Sequence, residues 1–338
     1  MRRYVTPLRL VAALVGALIV TFLVLLRLPS SDYILLPDTA HPVAPLVHVQ
    51  GGHTPAGTGE ILFVDVFERR AHELETIFPW LHHGATLVPS SAVISPGESD
   101  QAARQADLRA MQVSQETAAA VALRRLGYKV TAKPSGVVVD AIELDSHAAG
   151  VLQAGDVIDA VDGVQTATIA SLRSVLAKVK PGQVVSLHLH RGGTPLTVHV
   201  KTIADPLTKG RAIVGFTPDQ AADIHLPLKV SIDAGNVGGP SAGLAFTLEL
   251  LAQLGHDPTH GYKVAATGQI ELNGAVTAIG GVKQKTYGVR DAGADVFLVP
   301  VDGGNAATAK RYAGSLRIIP VTSVSQAIRA LAKLPPKH

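Results

Sequence analysis

Two short segments contain residues whose types and spacing suit covalent chemistry. The first is Gly235-Asn236-Val237-Gly238-Gly239-Pro240-Ser241-Ala242-Gly243, which runs directly into the apolar stretch LAFTLELLAQLG. Hydrophobic nearly all round, that stretch reads as a buried helix ending at Gly255. A serine presented by a glycine-rich turn at a helix mouth has two chemical advantages. The glycines let another backbone approach closely. The unpaired N–H groups at the helix start favour a developing negative charge, with Gly239, Pro240 and Ala242 marking the loop backbone around Ser241 where an oxyanion would lie. The second segment is Ala278-Ile279-Gly280-Gly281-Val282-Lys283-Gln284-Lys285, where a lysine follows a short apolar run at the start of another helix. A free lysine titrates near 10.4 and is a poor base at neutral pH. Desolvation beside Ile279 and Val282 would have to bring it to about 7–8, at a cost on the order of 4 kcal/mol. Lys283 is the lysine expected to face Ser241. Lys285, two positions on, is expected to point elsewhere on the helix.

The elements around these segments divide the chain. Residues 10–26 are LVAALVGALIVTFLVLL, without a charge, preceded by Arg2, Arg3 and Arg9 and followed by Arg27. This reads as a short membrane span with a cytoplasmic N-terminus and everything beyond Arg27 outside, a single-pass plasma-membrane placement with an extracytoplasmic catalytic domain. No small-x-small cleavage site follows, so an uncleaved anchor is expected over 10–27, after a cytoplasmic segment 1–9. Residues 28–127 are expected as a membrane-proximal region. It holds a Pro-rich start, a buried strand at EILFVDVF (60–67) and a helix over 101–126 stopped by Gly127. Residues 128–203 read as a compact β-rich unit. It has a strand at 137–139, a strand running into the Asp162-Gly163 turn, a helix from Ile169 to Val179, and a hairpin closed through Gly192-Gly193. From 205 to about 335, strand and helix signals alternate, ending in a helix opened by the capping pattern Ser323-x-x-Gln326. The fold class expected is therefore α+β and multidomain.

GDVIDAVDG, the helix after it and the closing hairpin resemble a PDZ domain. The resemblance implies a groove where a peptide adds as an extra strand, its carboxylate near Ser135-Gly136-Val137. GGPSAG, then TGQI, then AIGGVKQK, in that order, resemble the proteolytic domain of the Lon family. The whole chain resembles membrane-anchored PDZ–Lon proteases of Gram-positive bacteria. That resemblance implies a serine endopeptidase with Ser241 as nucleophile and Lys283 as base, and Thr267 orienting the lysine. It also implies peptide or protein substrates and assembly of copies into rings. The sequence departs from the family pattern at Gly238, where an acidic residue is common, and at Gln269, where the motif is commonly TGE.

The remaining composition narrows the field. The 338 residues carry a net charge of +3, with 47% hydrophobic and 17% charged residues and no cysteine. The chain can bury cores, and thiolate catalysis, disulfides and Cys-based zinc sites are excluded. No dense basic tract interleaved with aromatics marks a nucleic-acid surface, so no nucleic-acid partner is expected. No G-x-x-x-x-G-K-[ST] occurs, so an ATP-driven motor is not expected and no cofactor is called for. His72-Glu73 does not extend to H-E-x-x-H, because residue 76 is Thr. His188 and His190 share one strand face, an arrangement that suits a metal, but surface exposure is the reading adopted, and no metal is expected. Two other readings of the serine loop stand beside hydrolysis: a phosphate-binding loop of the kind found in sugar and mevalonate-type kinases, and a silent protease-like scaffold carrying a PDZ module.

Overall fold

The computed structural model describes residues 7–53, 59–94, 99–143, 145–335 and 337. Its first element is a helix, Pro7–Leu25. The membrane anchor expected over 10–27 is not borne out: among the described residues no helix is long and apolar enough to cross a membrane. Arg9 lies in the first turn of that helix, so its uncharged run is residues 10–25, about 24 Å long at 1.5 Å per residue. A hydrocarbon core needs about 30 Å. The chain then turns straight into a strand at Pro29–Pro37, which leaves no helix to lengthen the run. The single-pass placement built on the anchor falls with it. Arg2 and Arg3, which oriented the expected span, lie outside the described residues.

Residues 28–127 are not a unit of their own. Strand Pro29–Pro37 lies between Val66–His72 and Thr86–Val88 in a small antiparallel sheet. The expected strand over 60–67 breaks at Val64-Asp65, and its first half, Glu60–Phe63, enters a different sheet. There it pairs in parallel with Lys263–Ala266, which continues to Val296–Pro300 and Arg317–Val321. Strands buried on both faces read as apolar runs, and Val296 to Pro300 are all buried. The long helix Asp100–Arg125 is capped by Ser99, whose side chain accepts from the Ala102 N–H. It ends where Gly127 turns left-handed (φ 86°). Its Ala-rich second half packs on the helix after Ser241, Gly243–Gln253. Small side chains let the two helices lie close over a core that includes Phe63 and Phe246, with ring centroids 6.3 Å apart.

Strand Thr131–Ile142, strand Val157–Val161, helix Ile169–Leu176 and the hairpin Val184–Arg191/Thr194–Lys201 form a second core around Val139, Ile158 and Leu187. The 162–163 turn takes positive φ at both residues, as a two-residue hairpin loop requires. This sheet does not end at 203. Strand Phe216–His225 pairs antiparallel with 131–142 along its whole length and forms the sheet edge. Ser135-Gly136-Val137, expected to border a peptide groove, therefore lie on an interior strand, with Val157-Ile158 on one side and residues 216–225 on the other. Gln220 covers the spot. Its Nε2 donates to the Gly136 and Ala167 carbonyls, and its Oε1 accepts from the Ile169 N–H. The sheet has two edge strands, Thr194–Lys201 at one end and residues 216–225 at the other, and the chain after 216–225 runs on toward the serine loop.

Candidate active site

Ser241 lies at the turn before helix Gly243–Gln253, with Ala242 as its N-cap. Its own carbonyl is fixed from the neighbouring strand, where the Gly268 N–H donates to it at 2.8 Å and Thr267 Oγ1 at 3.1 Å. Gly268 takes φ 152°, and a Cβ there would stand 2.5 Å from Val276 Cγ1, so a glycine is needed for the strand to turn past the serine. From outside, helix Asp100–Arg125 holds the loop at three points. The Gly239 N–H donates to the Asp107 carbonyl at 2.8 Å, Ser114 Oγ donates to the Pro240 carbonyl at 2.8 Å, and the Arg104 guanidinium donates to the Asn236 carbonyl. Gly238 faces Asp107 so closely that a Cβ would lie 2.7 Å from the Asp107 Cβ. No side chain fits at 238 without moving that helix.

The lysine facing Ser241 is Lys285. Its Nζ lies 2.5 Å from Ser241 Oγ and 3.4 Å from Thr267 Oγ1. Lys283, the expected base, turns away. Its Nζ donates to the Ala85 carbonyl at 2.7 Å and to Thr86 Oγ1 at 3.3 Å, and lies 5.7 Å from the Tyr312 ring centroid. Lys283 thus ties strand Thr86–Val88 to its helix, Val282–Asp291. The physical reason is helical phase. That helix buries Val282, Gln284, Lys285, Thr286, Gly288 and Val289; Val282, Lys285, Thr286 and Val289 recur at three and four residues on its inward face, and Lys283 is not among the buried residues. The stripe was present in the sequence, and it marks Lys285 as the desolvated lysine.

Burial draws the Lys285 pKa down from its ordinary value to about 8, and the carboxylate of Asp65 opposes this by favouring the charged amine. Asp65 sits in the bend between strands 60–63 and 66–72. Burial, and after it the neighbouring Asp38, raise its carboxyl above the usual range, and its Oδ1 has no hydrogen-bond partner. Asp65, Glu68, Arg104, Asp107, Ser241 and Lys285 border one cleft of about 950 Å³. Burial also raises the carboxyls of Glu68 and Asp107. Asp65→Asn is expected to move the acid limb of kcat/KM for peptide cleavage to lower pH, because removing the negative charge lets the Lys285 pKa fall further below about 8. An acid limb unmoved or displaced upward would show that Asp65 does not act on Lys285.

The loop backbone expected around an oxyanion is partly committed. Pro240 has no N–H, and the Gly239 N–H is occupied by Asp107, so of those three residues Ala242 remains at the helix mouth.

Two stretches of the chain match known family models. Residues 211–333 match the family model of the Lon protease (S16) C-terminal proteolytic domain, and residues 124–202 match the PDZ domain model. The chain carries a Lon-type serine-peptidase domain beside a PDZ domain. Among its relatives, Lon protease of Chloroflexus aggregans is 30% identical over 124 residues, covering 36% of this chain and 15% of that protein. Lon protease 2 of Thermus thermophilus is 40% identical over 100 residues, 27% of this chain and 12% of that protein. The chain thus matches less than a sixth of the length of these Lon proteins. The PDZ domain of an SdrC-like protein from Listeria monocytogenes is 30% identical, covering 27% of this chain and 93% of that one, with a TM-score of 0.24.

Proposed function

We propose that the chain hydrolyses peptide bonds with Ser241 as nucleophile and Lys285 as general base, with no need for a nucleotide. The observation that carries this reading is the buried Lys285 amine, with a pKa brought to about 8, 2.5 Å from the serine hydroxyl. At pH 7 about a tenth of such an amine is neutral, against less than a thousandth of a free lysine. Neutral Lys285 takes the Ser241 proton as Oγ attacks the carbonyl, then gives that proton to the leaving amine. Thr267 Oγ1, in reach of the amine, orients it. The Ala242 N–H is the oxyanion donor, helped by the positive end of its helix. Water then resolves the acyl-enzyme.

Substrates on this reading are extended segments, such as tails, loops and peptides, that enter the cleft without forced unfolding; the sequence has no P-loop to drive it. Recruitment through the PDZ domain would use the edge strand 216–225, since the strand behind it is paired on both sides. The test is cleavage of an unstructured protein by wild-type and Ser241→Ala chains, with and without ATP and Mg²⁺. Cleavage that is lost in Ser241→Ala and indifferent to nucleotide is expected. Cleavage surviving in Ser241→Ala would overturn the nucleophile, and stimulation by ATP would overturn nucleotide independence.

A further inference from the structure

We propose that Asp159, His188 and His190, on the outer sheet face of the PDZ domain, form a binding site for a divalent first-row metal ion, with zinc as its probe. None of the three borders the Ser241 cleft. His188 and His190 are two apart on strand Val184–Arg191 and so share a face. Asp159 joins them through a bulge. His188 pairs with Ala160 and Leu189 with Ile158, so Asp159 is the extra residue between two paired ones. A bulge re-aims the side chain at the inserted position, and here the carboxylate meets both imidazoles. His188 Nδ1 lies 2.6 Å from Asp159 Oδ1, and His190 Nε2 lies 3.2 Å from Asp159 Oδ2.

All three potential ligand atoms lie within 4.8 Å of one another. A tetrahedral zinc with bonds of about 2.0–2.1 Å holds its ligand atoms roughly 3.4 Å apart, so small ring and carboxylate rotations close the set. Two imidazoles and a carboxylate suit zinc, nickel or copper(II) better than magnesium or calcium. The His188, His190 and Asp159 side chains are 44%, 42% and 22% exposed, respectively, so the remaining coordination position opens to solvent or to a ligand from outside. A second cluster, Asp38, His41 and Asp65, also brings its ligand atoms together, but it lies by the Lys285 cleft. It serves as an internal control.

The experiment is calorimetric titration of the full chain at pH 7.5 with Zn²⁺, and in parallel with Mg²⁺, together with thermal unfolding with and without metal. Wild type, His188→Asn/His190→Asn and the isosteric Asp159→Asn are compared, and His41→Asn reports the other cluster. Wild type is expected to take up one more zinc than the double-histidine variant and to show a zinc-dependent rise in Tm that this variant lacks. Asp159→Asn is expected to bind at least tenfold more weakly, and His41→Asn to keep the site. Equal zinc stoichiometry and affinity in wild type and the double variant, or no zinc uptake by wild type, would overturn the proposal. If the double variant unfolds early without metal, Asp159→Asn decides: unchanged affinity overturns the site.

Discussion

Lys285→Met is expected to lower kcat/KM for peptide cleavage by about a thousandfold or more, while Lys283→Met keeps activity within about tenfold. Removing a general base costs roughly 10²–10⁴ in rate. The serine also loses the lysine amine that lies 2.5 Å from its hydroxyl. Lys283 makes its contacts to Ala85, Thr86 and the Tyr312 ring, so its loss loosens one strand against a helix and leaves the cleft chemistry in place. Stability should move in the opposite sense. The folded chain holds the Lys285 pKa near 8 against an ordinary 10.5, so between those values the unfolded chain binds more protons and stability rises with pH. At pH 7 the buried amine costs up to about 3 kcal/mol. Lys285→Met should therefore raise Tm at pH 7 by several degrees, with a smaller gain toward pH 10. Equal loss of activity in both lysine variants, or a lower Tm in Lys285→Met, would count against this assignment.

The second large effect concerns what counts as the catalytic domain. An excised fragment of residues 205–338 is expected to show no cooperative unfolding and no cleavage, although it contains the whole stretch that matches the Lon model. In the full chain that stretch completes its sheet with Glu60–Phe63 and covers helix Gly243–Gln253 with helix Asp100–Arg125. The fragment would expose Leu244, Leu248, Ala245 and Val264, all buried in the full chain. It would also lose Asp65 from the cleft and the Ser114 and Asp107 bonds to the serine loop. Full burial of one such aliphatic side chain is worth about 1.5–3 kcal/mol, against a typical total stability of about 5–15. Circular dichroism melts and peptide cleavage check this. A fragment that melts cooperatively and cleaves at the full-chain rate would show that the first half only decorates the domain.

Both expectations turn on what the sequence does and does not show. Local chemistry was plain. The Ser323 cap, the Asp162-Gly163 turn, the Gly127 and Gly255 stops and the serine at a helix mouth are all short-range signals, and each depends on residues within a turn of one another. The partner of strand 60–63 lies two hundred residues away, so no local pattern could join EILF to the later sheet. The same holds for strand 216–225, which completes the PDZ sheet from beyond its family match. The expectation of Lys283 rests on its place after the Gly-Gly-Val run and on the family resemblance, and the two-residue offset of Lys285 is counted against Lys285 without asking which side of the helix is apolar. Helical phase from Val282 to Val289 would have chosen Lys285. The anchor misled for a simpler reason: composition showed an apolar stretch, but Arg9 and the turn after Leu25 set how much of it is an uncharged helix.

The most direct measurement is the rate at which a fluorophosphonate modifies Ser241, followed from pH 6 to 10 in the full chain and in each lysine variant. The rate is expected to rise through an ionisation near 8 in wild type and in Lys283→Met, and to fall to background in Lys285→Met. Ordinary pH-dependent labelling in Lys285→Met, with labelling lost in Lys283→Met, would contradict the dyad.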